Sequence, residues 1–227
     1  MQYEIKGDAL PVVICYLNNG ESMLTEKGSM AWMKDMQMQT NAGGGLSGIF
    51  GRAFSGESIF QNVYTAKTDN GMIAFASSFP GEILAFDITP QHPIILQKSA
   101  FLAGEMSVKL LVHFQKKLGS GLFGGEGFIM QKVNGNGTVF VEFDGSIMEY
   151  DLKPGETMMV DTGYLAAMEE SVKMDIEMIK GVKNVLFGGE GLFNTKLTGP
   201  GKVWLQTMPL PKVAQSIIPF LPRVNNN

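Results

Sequence analysis

The chain has 227 residues, 44% of them hydrophobic, with 18 Lys and Arg against 22 Asp and Glu for a net charge of −4. This length and apolar share suffice for a packed core, while the acidic balance supplies no field for a phosphate backbone and so argues against nucleic acid as a partner. Cys15 is the single cysteine, which rules out an intramolecular disulfide or a cysteine cluster for metal within one chain and fits a reducing, cytoplasmic location.

The N-terminus reads "MQYEIKGDALPVVICYLNNGE", with an apolar run from Ala9 to Leu17 that follows acidic residues and is broken by Pro11. A secretory signal needs basic flanks, and a helical membrane span needs about 20 apolar residues, so neither is expected here. No later run reaches that length.

From Gly20 the chain begins to repeat itself. "GESMLTEKGSMAWMKDMQMQT" continues through "AFSGESIFQNVYTAKTDNGMIAFAS" to form a first copy. "PQHPIILQKSAFLAGEMSVKLLVHFQ", from Pro90, opens a second that runs into "GLFGGEGFIMQKVNGNGTVFVEF". A third starts at Pro154 with "PGETMMVDTGYLAAMEESVKMDIEMI" and reaches "VLFGGEGLFNTKLTGPGKVWLQT". The second and third align without gaps, Leu122 over Leu186 and Glu126 over Glu190. The first fits less evenly, with slack beside its "NAGGGLSG" stretch. Repetition on this scale governs a whole fold. The chain is therefore read as one β domain, 1–209, holding three internal repeats at about 20–89, 90–153 and 154–209, followed by a C-terminal tail, 210–227.

Inside each copy the hydrophobic period is two. In "SVKMDIEMI" the apolar Val172, Met174, Ile176 and Met178 alternate with Lys173, Asp175 and Glu177, which predicts a strand with one buried face. "GTVFVEF" and "GKVWLQT" follow the small turns "NGNG" and "TGPG", whose glycines suit tight hairpins. Many of the sixteen methionines fall on the apolar phase of such strands and read as core filler. The tail "MPLPKVAQSIIPFLPRVNNN" holds the one predicted helix, with an apolar face of Val213, Ile217, Ile218, Phe220 and Leu221. Packing on the β core or on a neighbouring subunit is the simplest role for so short a helix; contact with a membrane surface or another protein is the alternative.

Candidate chemistry is sparse. "GSGLFG", from Gly119 to Gly124, satisfies the G-x-G-x-x-G pattern of dinucleotide sites, but strand follows it where such a site needs a helix N-terminus. The repeated Glu57, Glu126 and Glu190 have two readings. Each could accept backbone N–H bonds and tie neighbouring turns together, or the three could converge on a hard cation, although three carboxylates supply few oxygens for one. His92 and His113 are the only imidazoles, and neither has a counterpart in the third copy. Cys15 lies in "PVVICYL" and reads as an inert buried thiol. No nucleophile, base and orienting group stand at a recognisable spacing, so no catalytic residue and no cofactor are expected, with carboxylate-only chemistry left open.

The "YEIKG" start, the "LFGGEG" turns at Leu122 and Leu186 and the closing "MPLPK" resemble bacterial members of the altered-inheritance-of-mitochondria family over almost the whole chain. The first copy departs from the pattern, with Ser55 and Ser58 where the others have glycine. The resemblance implies an all-β fold of repeated antiparallel units, similar to the tryptophan RNA-binding attenuation protein with its double-stranded β-helix-like barrel. It also implies a homo-oligomer, a trimer by expectation, and supplies no catalytic residue to carry over. Two functions follow: a non-enzymatic scaffold or interaction protein with a protein or membrane-surface partner, or a small-ligand or cation-binding protein using the repeated glutamates.

Overall fold

The structure is a computed structural model that describes residues 1–25, 28–41, 61–116, 127–178 and 193–221. Among them the chain is almost entirely strand. A leading strand, β1 (Gln2–Lys6), precedes β2 (Val12–Leu17), β3 (Ser22–Thr25), β4 (Met30–Lys34), β5 (Met36–Asn41), β6 (Gln61–Ala66) and β7 (Gly71–Ala76). Next come β8 (Gly81–Ile88), β9 (Ile94–Gln97), β10 (Phe101–Glu105), β11 (Val108–Lys116), β12 (Phe128–Gly135) and β13 (Gly137–Asp144). The last run is β14 (Ile147–Leu152), β15 (Thr157–Asp161), β16 (Leu165–Glu169), β17 (Lys173–Met178), β18 (Phe193–Thr198) and β19 (Gly201–Gln206), closed by the helix α1 (Leu210–Ile217).

One pairing rule organises these strands. In each run of six, the first and third flank the sixth: β2 and β4 on β7, β8 and β10 on β13, β14 and β16 on β19. The second and fourth flank the fifth: β3 and β5 on β6, β9 and β11 on β12, β15 and β17 on β18. All pairs are antiparallel. Even an irregularity recurs, because the third strand skips one residue against the sixth at Ala31, at Leu102 and at Ala166. Such a bulge lets neighbouring residues of one strand serve two packed layers.

Successive runs are then fused. The second strand of one pairs with the third strand of the next, β3 on β10 through Leu24↔Gly104 and β9 on β16 through Ile95↔Met168. Two six-stranded sheets result, β5-β6-β3-β10-β13-β8 and β11-β12-β9-β16-β19-β14, flanked by β1-β2-β7-β4 and β15-β18-β17. The all-β class holds. The barrel that the resemblance implies is not formed, since each described sheet keeps two edge strands and none closes on itself.

Three apolar clusters fill the space between sheets. Val13, Cys15, Ile73 and Phe75 centre the first, Leu96, Val133, Val139 and Val141 the second, and Met130, Leu165, Met168 and Val203 the third. Alternation along β17 is as the sequence indicates, with Lys173, Asp175 and Glu177 exposed and Met174 and Ile176 half-buried. The "NGNG" turn needs its glycine at Gly135, whose φ of 125° is left-handed and where a side chain would strike the Ser107 carbonyl. The methionines divide: Met23, Met130 and Met168 are fully buried, whereas Met33, Met38, Met148 and Met159 are exposed.

Leu96 is fully buried on a strand paired on both sides. Leu96→Ala is expected to cost about 2–5 kcal/mol through lost burial and the void it leaves, read as a shift of the urea midpoint with an unchanged slope. Exposed Met159→Ala is expected to shift it by less than about 0.5 kcal/mol.

Candidate functional site

Glu57, Glu126 and Glu190 all lie outside the described residues, together with the "LFGGEG" turns that carry two of them. Another pair of repeated carboxylates, Glu105 and Glu169, accepts backbone N–H bonds within single runs. Glu105 Oε2 accepts the Thr138 N–H at 2.7 Å, and Glu169 Oε2 accepts the Lys202 N–H at 3.0 Å. Both stand at the end of the third strand of a run and hold the start of the sixth. Their signal was the aligned "AGEMSV" and "AMEESV", where the carboxylate recurs beside a turn.

The histidines do not assemble a site. His92 forms an isolated bridge with Thr89, its N–H donating to that carbonyl at 3.0 Å, and His113 is exposed on β11. Among the described residues no three His, Cys, Asp or Glu side chains are placed to hold a metal ion. Cys15 is fully buried, and burial pushes its thiol up to about 12. It is therefore neutral at physiological pH and a poor nucleophile.

Two carboxylates sit low in the fold near the connections between runs. Glu142 accepts from Ser77 Oγ and from the Ser78 N–H, each at 3.0 Å, and so fixes the connection that leads from β7 to β8. Burial raises its pKa, and these hydrogen bonds oppose the rise without cancelling it. Asp144 likewise has its pKa raised by burial, opposed by the Leu210 N–H that it accepts at 2.8 Å at the start of α1. Both are acceptors for backbone and serine groups.

The connections converge on an open cleft of about 550 Å³ lined by Gly7, Asp8, Pro80, Glu82, Gly145, Ser146 and Met208. Its polar backbone is already committed: the Gly81 N–H bonds Ala9 O at 2.8 Å, the Gly145 N–H bonds Pro80 O at 2.8 Å, and Glu82 Oε1 takes the Ile147 N–H at 3.0 Å. A cleft of that kind can admit a ligand, but these groups offer it little directed hydrogen bonding.

Larger signals lie on the surface. Every residue of β4 after Met30 is exposed, including Trp32 at 47% and Met33 at 39%. The helix α1 buries none of its residues, and beyond it Ile218, Phe220 (86% exposed) and Leu221 form an apolar tip. Pro209 and Pro211 open the helix, and Lys212 anchors it by pairing with Asp161 Oδ2 at 2.8 Å. No helix among the described residues is long and apolar enough to cross a membrane.

Two outcomes follow from Cys15 and Glu142. Cys15 is expected to resist a thiol reagent such as dithionitrobenzoate in the folded protein and to react fully in denaturant; rapid reaction without denaturant would contradict its burial. For Glu142, a folded-state pKa above the unfolded value of 4.5 means that the native state binds more protons across the interval between the two, so this group's contribution to stability falls as pH rises through it. Glu142→Gln removes that term. Its stability relative to the native protein is therefore expected to improve as pH is raised through the window upward from 4.5, whatever its absolute cost in lost serine bonds, when unfolding curves are compared at successive pH values.

Comparisons with known proteins bear on the whole arrangement. The crystal structure of protein SPYM3_0169 from Streptococcus pyogenes superposes with a TM-score of 0.79 at 27% sequence identity, covering 97% of this chain and 99% of that one. No curated protein matches the chain. The family described as Mitochondrial biogenesis AIM24 matches residues 3–208, which run from the second residue of β1 to just before α1, and the chain belongs to that family.

Proposed function

We propose that the protein is a non-enzymatic scaffold or interaction protein, cytoplasmic, that assembles as a homo-oligomer, a trimer in the simplest form, and meets a protein or membrane-surface partner. The observation that carries this reading is the placement of large apolar side chains on otherwise unoccupied surface: Trp32 and Met33 on β4, and Ile217, Ile218, Phe220 and Leu221 at the α1 end. Exposed apolar groups that cluster in this way mark contact surfaces. The half-buried carboxylates fit this reading too, since Glu142 and Asp144 hold connections in place through serine and backbone hydrogen bonds. The family's description names a process, mitochondrial biogenesis, and no reaction. An inert Cys15 suits a reducing compartment.

Native mass spectrometry of gently purified protein tests this reading. A multiple of the 24.7 kDa chain mass with nothing added is expected. A monomer at micromolar concentration would remove the assembly, and retained mass matching an ion or small molecule would instead make Glu57, Glu126 and Glu190 the first residues to replace.

A further inference from the structure

The joint that fuses the runs occurs twice, and each time it leaves the same positions covered. β10 and β16, the third strands of the second and third runs, bury every residue from Phe101 to Gly104 and from Leu165 to Met168. β9 is buried throughout and β3 nearly so. The first run has a third strand with no run before it, β4, and the last has a second strand with no run after it, β15. Both are sheet edges among the described residues. There the covering is missing: Trp32, Met33 and Met159 are 47%, 39% and 52% exposed.

These two edges are complementary halves of one joint. The shared bulge aligns Met33 with Gly104 and Met168, since Ala31, Leu102 and Ala166 are the skipped residues. The ladders on the fifth strand and at the joints align Met159 with Ile95 and Leu24. Because Gly104 faces Leu24 and Met168 faces Ile95, the same register sets Met33 opposite Met159, with Trp32 opposite Val160 and Lys34 opposite Met158. We propose that β4 of one copy pairs antiparallel with β15 of a second copy in this register, repeating between molecules the joint that the chain makes twice within itself.

The pairing rests on the homo-oligomer reading above and says which surface builds the oligomer. It covers Trp32, Met33 and Met159 as their counterparts are covered and satisfies two rows of unpaired backbone groups, which an exposed edge otherwise offers to any passing strand. Each copy carries one edge of each kind, so the contact is head-to-tail: it closes into a ring where the rotation per copy permits, and runs on as a filament where it does not. Residues directly opposite in an antiparallel pair have Cβ atoms about 4.5–5.5 Å apart, within reach of a disulfide after small adjustment.

Cysteine cross-linking decides the matter, and buried Cys15 stays out of the reaction. Met33→Cys protein mixed with Met159→Cys protein under mild oxidation is expected to give a disulfide-linked dimer that neither gives alone. Lys34→Cys mixed with Met159→Cys, one residue out of register and on opposite faces, is expected to give far less. Equal yields from both mixtures, or no mixed dimer, would overturn the inference. So would a double Met33→Cys, Met159→Cys variant that oxidises only within one chain, because the edges would then close on each other in a single molecule. The exposed Met159→Lys substitution is expected to abolish the oligomer in native mass spectrometry while leaving the fold intact by circular dichroism. If the oligomer survives that change and no cross-link forms, assembly uses another face and only this inference fails; a monomeric native protein would end both readings.

Discussion

Backbone hydrogen bonding across the joints, β3 to β10 and β9 to β16, is the constraint on which the rest of the structure depends. Each joint makes one continuous sheet from strands that belong to different runs, so neither run can shift without breaking a ladder in the other. The joints are short, with only two or three paired residues each. Their strength comes from what they exclude: a strand buried on both faces and paired on both edges has no water to compete for its N–H and C=O groups, and leaving such groups unpaired is costly. The fully buried Leu96 and Ile95 show the result, since one points into the second apolar cluster and the other into the third.

Polar groups lock the joints at the ends of the strands. Gln206, buried, accepts the Asp144 N–H through Oε1 and donates through Nε2 to Gly163 O at 3.0 Å, so it connects the end of β13 to the turn that precedes β16. Thr25, also buried, donates to Leu102 O across the first joint at 2.8 Å. These bonds act between elements far apart in sequence, which is how a buried network specifies one packing over its neighbours. The half-buried Glu142 and Asp144 likewise serve architecture, holding serine and backbone groups at the connections between runs.

Much of this was legible in the sequence, and the physical reasons divide cleanly. The all-β class followed from period-two alternation in stretches such as Lys173–Met178 and from glycine turns such as that ending at Gly135, because both are local signals that tertiary context seldom overrides. The second and third copies aligned for the same reason. Less legible was which strand pairs with which: the fusing of second and third strands is a long-range choice, and "IILQ" or "FLAGE" looks alike whether its neighbour belongs to its own run or another. Glu57, Glu126 and Glu190, which the repeated turns single out, lie outside the described residues, while Glu105 and Glu169 accept backbone N–H bonds within their own runs. An ordinary Glu at a strand end has no glycine-rich motif around it to mark it in the sequence. Exposure at Trp32 and Met33 was not legible either, since "MAWMK" is as apolar as its buried counterparts "FLAGE" and "LAAME" and its lack of a neighbouring strand is a long-range fact.

The first-on-sixth pairing also sets an order of events during synthesis. β2 leaves the ribosome well before β7, and no run can complete its first sheet until its last strand has emerged. Loop closure of that span must be met before the contacts reward it, which slows folding relative to a chain of simple hairpins. The joints add a second wait, because β3 stays an open edge until β10 arrives and β9 until β16. At about 5–20 residues per second, the nascent chain spends seconds with an apolar strand open along one edge. Translation therefore works from the N-terminus as a ratchet, each new run capping the one before it, and a ribosome stalled after β9 would present a sticky, half-built sheet to the cell's chaperones.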